Sequence, residues 1–104
     1  MSKILVVDDE PTMLAAFEEI LAGLGHEVVT ARRAETAIAQ LQSAPVDLVI
    51  LDIQLPGMNG LEALRRLKQE HPKLPVVVIT GHGTISTATE ATRLGAFDYQ
   101  LKPI

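Results

Sequence analysis

The sequence contains no cysteine and no tryptophan, and only three aromatic side chains, Phe17, Phe97 and Tyr99, among its 104 residues. Without cysteine there can be no disulfide and no thiolate nucleophile or metal ligand, which leaves the redox compartment open. So few aromatics leave little to stack against a base or a flavin ring. Long hydrophobic runs are also missing. Ile4–Val7, Leu48–Leu51 and Val76–Ile79 are far too short to span a bilayer or form the core of a secretory signal, so the expectation is a cytoplasmic protein with no membrane partner. Basic charge is scarce as well: nine Lys and Arg against thirteen Asp and Glu give a net charge of -4. No basic stripe is available to neutralise a phosphate backbone, so this segment is expected not to contact nucleic acid directly. There is no Gly-rich phosphate loop of the nucleotide-binding type, no internal repeat and no linker.

What remains is 47% apolar and 21% charged, the composition of one folded domain rather than a disordered segment. Strand and helix patterns alternate along it. Lys3–Val7 is an apolar run that reads as a strand buried on both faces. From about Thr12, Leu14, Phe17, Ile20, Leu21 and Leu24 recur at steps of three and four, with Pro11 suited to a first turn and Gly23 and Gly25 to a stop. Val28–Ala31 predicts a second strand, and Ala34, Ala37, Ile38 and Leu41 a second helix ending before Pro45. Leu48–Leu51 is a third strand. Leu61, Leu64 and Leu67 mark a third helix, opened by a Pro56-Gly57 turn and closed by Pro72. Pro75–Thr80 is a fourth strand, Thr84 to Leu94 a fourth helix with a thin, threonine-rich stripe, and Ala96–Leu101 a fifth strand. Such alternation implies right-handed crossovers and a doubly wound parallel α/β sheet, whose ligands sit at the carboxyl ends of the strands.

The residues at those ends are Asp8 and Asp9 after the first strand, Arg32 after the second, Asp52 after the third, Thr80 after the fourth and Lys102 after the fifth. Singly, each has an ordinary explanation. Asp8, Asp9 and Glu10 would cap the free N–H groups of the following helix. Asp52 would be a turn residue, Thr80 a hydroxyl bonded to backbone and Lys102 a solvated charge. Together on one edge, three carboxylates repel one another unless a cation lies between them. A hard divalent ion such as Mg²⁺ suits such oxygen donors and is commonly shared with a phosphate. A carboxylate can itself be the nucleophile in phosphoryl transfer, and Asp52, on the strand expected mid-sheet, is the central candidate.

Four stretches then resemble the receiver domain of two-component response regulators: ILVVDDE at Ile4–Glu10, LVILDIQLPGMNGLE at Leu48–Glu62, VVVITGHG at Val76–Gly83 and GAFDYQLKP at Gly95–Pro103. The resemblance implies a five-stranded flavodoxin-like sheet in the order 2-1-3-4-5. It implies that Asp52 accepts a phosphoryl group from a sensor histidine kinase. Asp9, Asp52 and the backbone carbonyl of Gln54 would hold Mg²⁺, with Asp8 acting largely through water. Lys102 would pair with the phosphoryl group or, before it arrives, with Asp52. Thr80 and Tyr99 match the family's switch pair, and the Lys102-Pro103 bond is a candidate cis peptide. His82 reads as a loop residue beside the pocket. Within the family, the run from Thr80 to Ile104 is similar to receivers attached to enhancer-binding transcriptional activators, which implies a downstream output domain and regulation of transcription.

The chain departs from the family pattern in having no fifth helix after the Lys-Pro turn, which reads as a receiver domain over residues 1–104 truncated before its last helix. Crossover geometry puts helices two to four on one sheet face and helix one alone on the other. An apolar patch is therefore expected near the fourth and fifth strands. Copies would pair through that face, or through the surface of the fourth strand, fourth helix and fifth strand. Two other functions compete. One is a phosphorylation-independent interaction module, against which stands the intact set of site residues. The other is a haloacid-dehalogenase-like phosphatase, which requires a second acid where Gln54 stands.

Overall fold

The computed structural model describes residues 2–55, 58–81 and 85–102. Strands β1 (Lys3–Val7), β2 (Glu27–Ala31), β3 (Leu48–Asp52), β4 (Val76–Thr80) and β5 (Asp98–Leu101) alternate with helices α1 (Pro11–Gly23), α2 (Ala34–Ser43), α3 (Gly60–Glu70) and α4 (Ile85–Arg93). All strand pairs are parallel and the sheet order is β2-β1-β3-β4-β5. This is the doubly wound sheet expected from the alternation, with β1 and β3 adjacent in its interior. No helix among the described residues is long and apolar enough to cross a membrane.

Side chains alternate between two cores because successive strand residues point to opposite faces. Leu5, Val7, Val49, Leu51, Val76 and Val78 join Ala37, Leu41, Leu64, Leu67 and Ala91 in the larger core, beneath α2, α3 and α4. Ile4, Val6, Ile50 and Ile79 meet Leu14 of α1 in the smaller one. Both faces of the central strands are thus dry, which explains their unbroken apolar runs. Each fully buried aliphatic side chain contributes about 1.5–3 kcal/mol. Among the described residues of α4, only Ala91 is buried, which agrees with the thin stripe read for that helix.

Three expectations need correction. The α1 stripe is narrower than its periodicity suggested: Leu14 is buried and Phe17 and Leu21 are half-buried, but Ile20 and Leu24 are 61% and 69% exposed. Among the described residues α1 is the one helix on its side of the sheet, and the line through Leu14, Phe17 and Leu21 is what packs on the strands there. The last strand begins at Asp98 rather than Ala96, because Ala96 N–H donates back to Ala91 and closes the turn from α4. The uncovered face is also smaller at β4 than expected. Ile79 is fully buried and Val77 half-buried, and the exposed apolar side chains there are Phe97 and Leu101. The Pro56-Gly57 turn, His82, Thr84 and the Lys102-Pro103 peptide lie outside the described residues.

Local constraints fix where α3 begins. Asn59 caps α3, its Oδ1 accepting Leu61 N–H at 2.7 Å, and Gly60 N–H donates to Ile53 O at 3.2 Å. A Cβ at Gly60 would fall inside the backbone of Ile53, so α3 starts closer to β3 than any side chain allows. Beyond α3, Lys68 Nζ donates to Pro72 O and Leu74 O, both at 2.9 Å, tying the helix end to the approach of β4. Gly60→Ala is accordingly expected to destabilise the fold by about 1–3 kcal/mol, the cost of overpacking a closed site. A urea midpoint equal to that of the unmodified chain would contradict this close approach.

Candidate functional site

Parallel strands that enter the sheet from the same end deliver their last residues to one edge. That edge brings together Asp8 after β1, Asp52 at the end of β3, Thr80 at the end of β4 and Lys102 after β5. Asp8 and Thr80 are fully buried and Asp52 is 2% exposed. A dry carboxylate is costly unless paired, and Lys102 supplies the pairing. Its Nζ lies 2.8 Å from Asp8 Oδ2 and 3.0 Å from Asp52 Oδ2. The remaining carboxylate oxygens accept backbone N–H groups, Asp8 Oδ1 from Glu10 and Asp52 Oδ1 from Gln54, each at 2.9 Å. Lys102 is itself anchored by its N–H to Thr80 O at 2.8 Å.

Glu10 is the residue that sequence reasoning misplaced. It occupies the N-cap position of α1, but its side chain does not cap the helix. Instead Glu10 Oε1 sits 2.8 Å from Lys102 Nζ, ninety-two positions away in the chain. The three-acid run after β1 carried a faint signal of this, since a third acid has to leave the crowded strand end or find a cation. Asp9 is half-buried, and its carbonyl accepts from Arg32 at 3.3 Å. One carboxylate oxygen from each of Asp8, Asp9, Glu10 and Asp52 falls within a common 4.8 Å.

The electrostatics follow from this crowding. Burial pushes the Asp52 carboxyl above its ordinary value, with the Asp8 charge adding to the rise and the Gln54 and Lys102 hydrogen bonds opposing it. Burial alone would lower Lys102, but bonds from Asp8, Glu10 and Asp52 outweigh it and hold the ammonium above the ordinary lysine range. The amine is therefore a permanent cation facing an excess of carboxylate. Hard oxygen donors with surplus negative charge fit a small divalent cation such as Mg²⁺.

Tyr99, the other residue singled out, lies on β5 opposite Val78 and packs against the larger core. Its hydroxyl and Thr87 Oγ1 of α4 are 2.8 Å apart. Sequence reasoning did not single out Thr87 for this contact, because threonine on a thin helical stripe looks like filler. Gln54 is exposed just beyond Asp52. The strand ends thus bring Asp8, Asp9, Asp52, Gln54, Thr80 and Lys102 to one edge, whereas Tyr99 stands on the α4 side.

The model for the response regulator receiver domain matches residues 4–104. The chain is 41% identical over 98 residues to the DNA-binding transcriptional regulator NtrC of Salmonella typhimurium, covering 94% of this chain and 21% of that one. It spans about a fifth of the length of the curated relatives it matches first. The crystal structure of the receiver domain of NtrX from Brucella abortus superposes with a TM-score of 0.91 at 47% identity, covering 97% of this chain and 86% of that one. A response regulator from Burkholderia pseudomallei, solved with a phosphorylated aspartic acid, calcium ion and citrate, superposes at 0.94 with 26% identity, covering 100% of this chain and 61% of that one.

A raised native carboxyl value has a definite sign in the stability. Well below about pH 4 Asp52 is protonated in folded and unfolded chains alike. Above that, the unfolded chain ionises first, so stability falls as pH rises through the raised native value. Asp52→Asn removes this penalty while Asp8 and Glu10 still neutralise Lys102. Without divalent cations it is expected to stabilise the fold at pH 7 by about 1 kcal/mol, with the gain closing near about pH 3.5, below the ordinary aspartate value of about 3.9. Urea melts at the two pH values measure this, and a less stable Asn variant at pH 7 would overturn the sign.

Proposed function

Since the chain belongs to the response regulator receiver family, a family of signalling modules rather than conventional enzymes, we propose that it is a phosphorylation-dependent switch whose acceptor is Asp52. The observation that carries this reading is the contact of Lys102 with a buried Asp52 among further carboxylates. In the proposed reaction an Asp52 oxygen attacks the phosphorus of a phosphohistidine on a sensor kinase. A P–O bond forms, the P–N bond breaks, and the leaving imidazole nitrogen takes a proton from solvent. Lys102 meets the charge on the transferred group, and Thr80 receives another of its oxygens.

Asp9, Asp52 and the carbonyl of Gln54 would hold Mg²⁺, with Asp8 acting through water. When bound, the ion offsets the negative charge that gathers during transfer. The same residues make the chain the catalyst of its own phosphorylation and hydrolysis. The calcium ion and phosphorylated aspartate in the Burkholderia relative support this assignment by likeness.

Once phosphorylated, the edge gains charge that Thr80 can approach, and Tyr99 follows by exchanging its place beside Thr87. Such a local change biases a two-state element. Its output surface is α4 with β4 and β5, where Leu101 and Phe97 are exposed. In a cytoplasmic regulator this surface would bind an output domain or a second copy and so control transcription. Residues 1–104 would form one receiver unit of that longer regulator.

Acetyl phosphate with Mg²⁺ is expected to add one phosphoryl group at Asp52, read by intact mass and peptide mapping. Asp52→Asn should abolish the label and Lys102→Ala slow it by roughly tenfold or more. Failure of the folded chain to label would overturn the switch, and rapid turnover of assorted phosphate esters would favour a phosphatase instead. Tyr99 is the sole tyrosine and no tryptophan is present, so intrinsic emission reports the switch directly. Phosphorylation should change that emission in the unmodified chain, while Thr80→Val labels without the change. An emission change that survives in Thr80→Val would remove Thr80 from the switch.

A further inference from the structure

Among the acids of the site, Glu10 has no part in the transfer proposed above. Yet it completes the surroundings of Lys102. Three carboxylate oxygens crowd this ammonium: Glu10 Oε1 at 2.8 Å and Asp52 Oδ2 at 3.0 Å accept hydrogen bonds from it, and Asp8 Oδ2 lies 2.8 Å away as an ion pair. The lysine side chain is only 10% exposed, which leaves little room for a further acceptor. A phosphoryl oxygen therefore gains close contact with Lys102 Nζ by displacing one of these carboxylates.

The three are not equally free to withdraw. The side chains of Asp8 and Asp52 are 0% and 3% exposed, whereas that of Glu10 is 56% exposed. Withdrawal of either aspartate would leave a dry, unpaired charge, but Glu10 can turn into water at little cost. Its backbone need not move. Glu10 N–H is held by Asp8 Oδ1 at 2.9 Å, the residue lies in extended conformation and Pro11 follows at the first helical position. Only side-chain torsions stand between the two positions.

We propose that Glu10 is a positioning residue that occupies the solvent side of Lys102 Nζ at rest and yields it to the incoming phosphoryl group. Glu10 thereby holds the lysine aimed at the pocket and competes with the phosphodonor. This inference rests on Asp52 being the acceptor.

The test compares initial rates of Asp52 labelling for the unmodified chain and Glu10→Gln, at saturating Mg²⁺ and subsaturating donor. Two donors of different charge are used, acetyl phosphate and the less charged phosphoramidate. Removing the competitor should raise the rate about two- to fivefold, the range set by one exposed ion pair, and by the same factor with both donors. A gain confined to acetyl phosphate would mean that Glu10 merely repels an anion, and would overturn the proposal. Equal or slower labelling by Glu10→Gln would overturn it as well. If neither chain labels at Asp52, the acceptor reading itself falls and the role of Glu10 falls with it, an outcome distinct from equal rates on both.

Discussion

The ammonium of Lys102 is the point on which the carboxyl edge of the sheet depends. It follows β5, yet it contacts the acids that end β1 and β3 and the one that opens α1. Without it, two carboxylates would sit in a dry interior with no counterion, which costs several kcal/mol for each uncompensated charge. The strand order makes this contact geometrically natural. β1 and β3 are interior and adjacent, and β5 is separated from β3 only by β4, so a long lysine side chain from the end of β5 can span the gap.

The apolar packing beneath serves the same edge. Leu5, Val6 and Val7 lead directly to Asp8, and Val49, Ile50 and Leu51 to Asp52, all buried. Such strands cannot slide by one residue without turning each core side chain to the wrong face. Register therefore fixes the height of the acids relative to one another, and the closed approach of Gly60 to Ile53 fixes the segment just beyond Asp52. Rigidity below and surplus charge above are what a phosphoryl-accepting carboxylate requires: a held nucleophile in a place that already favours an added cation.

Much of this was legible in the sequence, for a simple reason. Continuous apolar runs separated by helical periods dictate parallel strands, and parallel strands dictate that Asp8, Asp52, Thr80 and Lys102 arrive together. Contacts set by side-chain torsions rather than by backbone topology were not legible. Glu10 looked like a helix cap, because that is what an acid before a helix ordinarily does; its reach to Lys102 depends on a partner ninety-two residues away. Thr87 looked like a weak helix former until Tyr99 was found beside it. The excess breadth read into α1 has a different origin. Periodicity reports which residues could be buried, and only the packing of neighbours decides which are, so Ile20 and Leu24 remained in water.

The two faces of α4 connect the charged edge to a surface that can carry a signal. Ala91 alone among its described residues is buried, while Thr87 bonds Tyr99. A helix with so little buried apolar surface among its described residues is weakly held there, and elements that move are drawn from such parts. Thr80 ends β4 in register with Leu101, just past the point where Val78 pairs with Tyr99, and so stands between the acids and that helix. In the proposed switch, charge added at Asp52 would act on the buried hydroxyl of Thr80, and through it on Tyr99. The central strands, β4 included, would hold still below the edge, and the response would fall on β5 and α4, where burial is least.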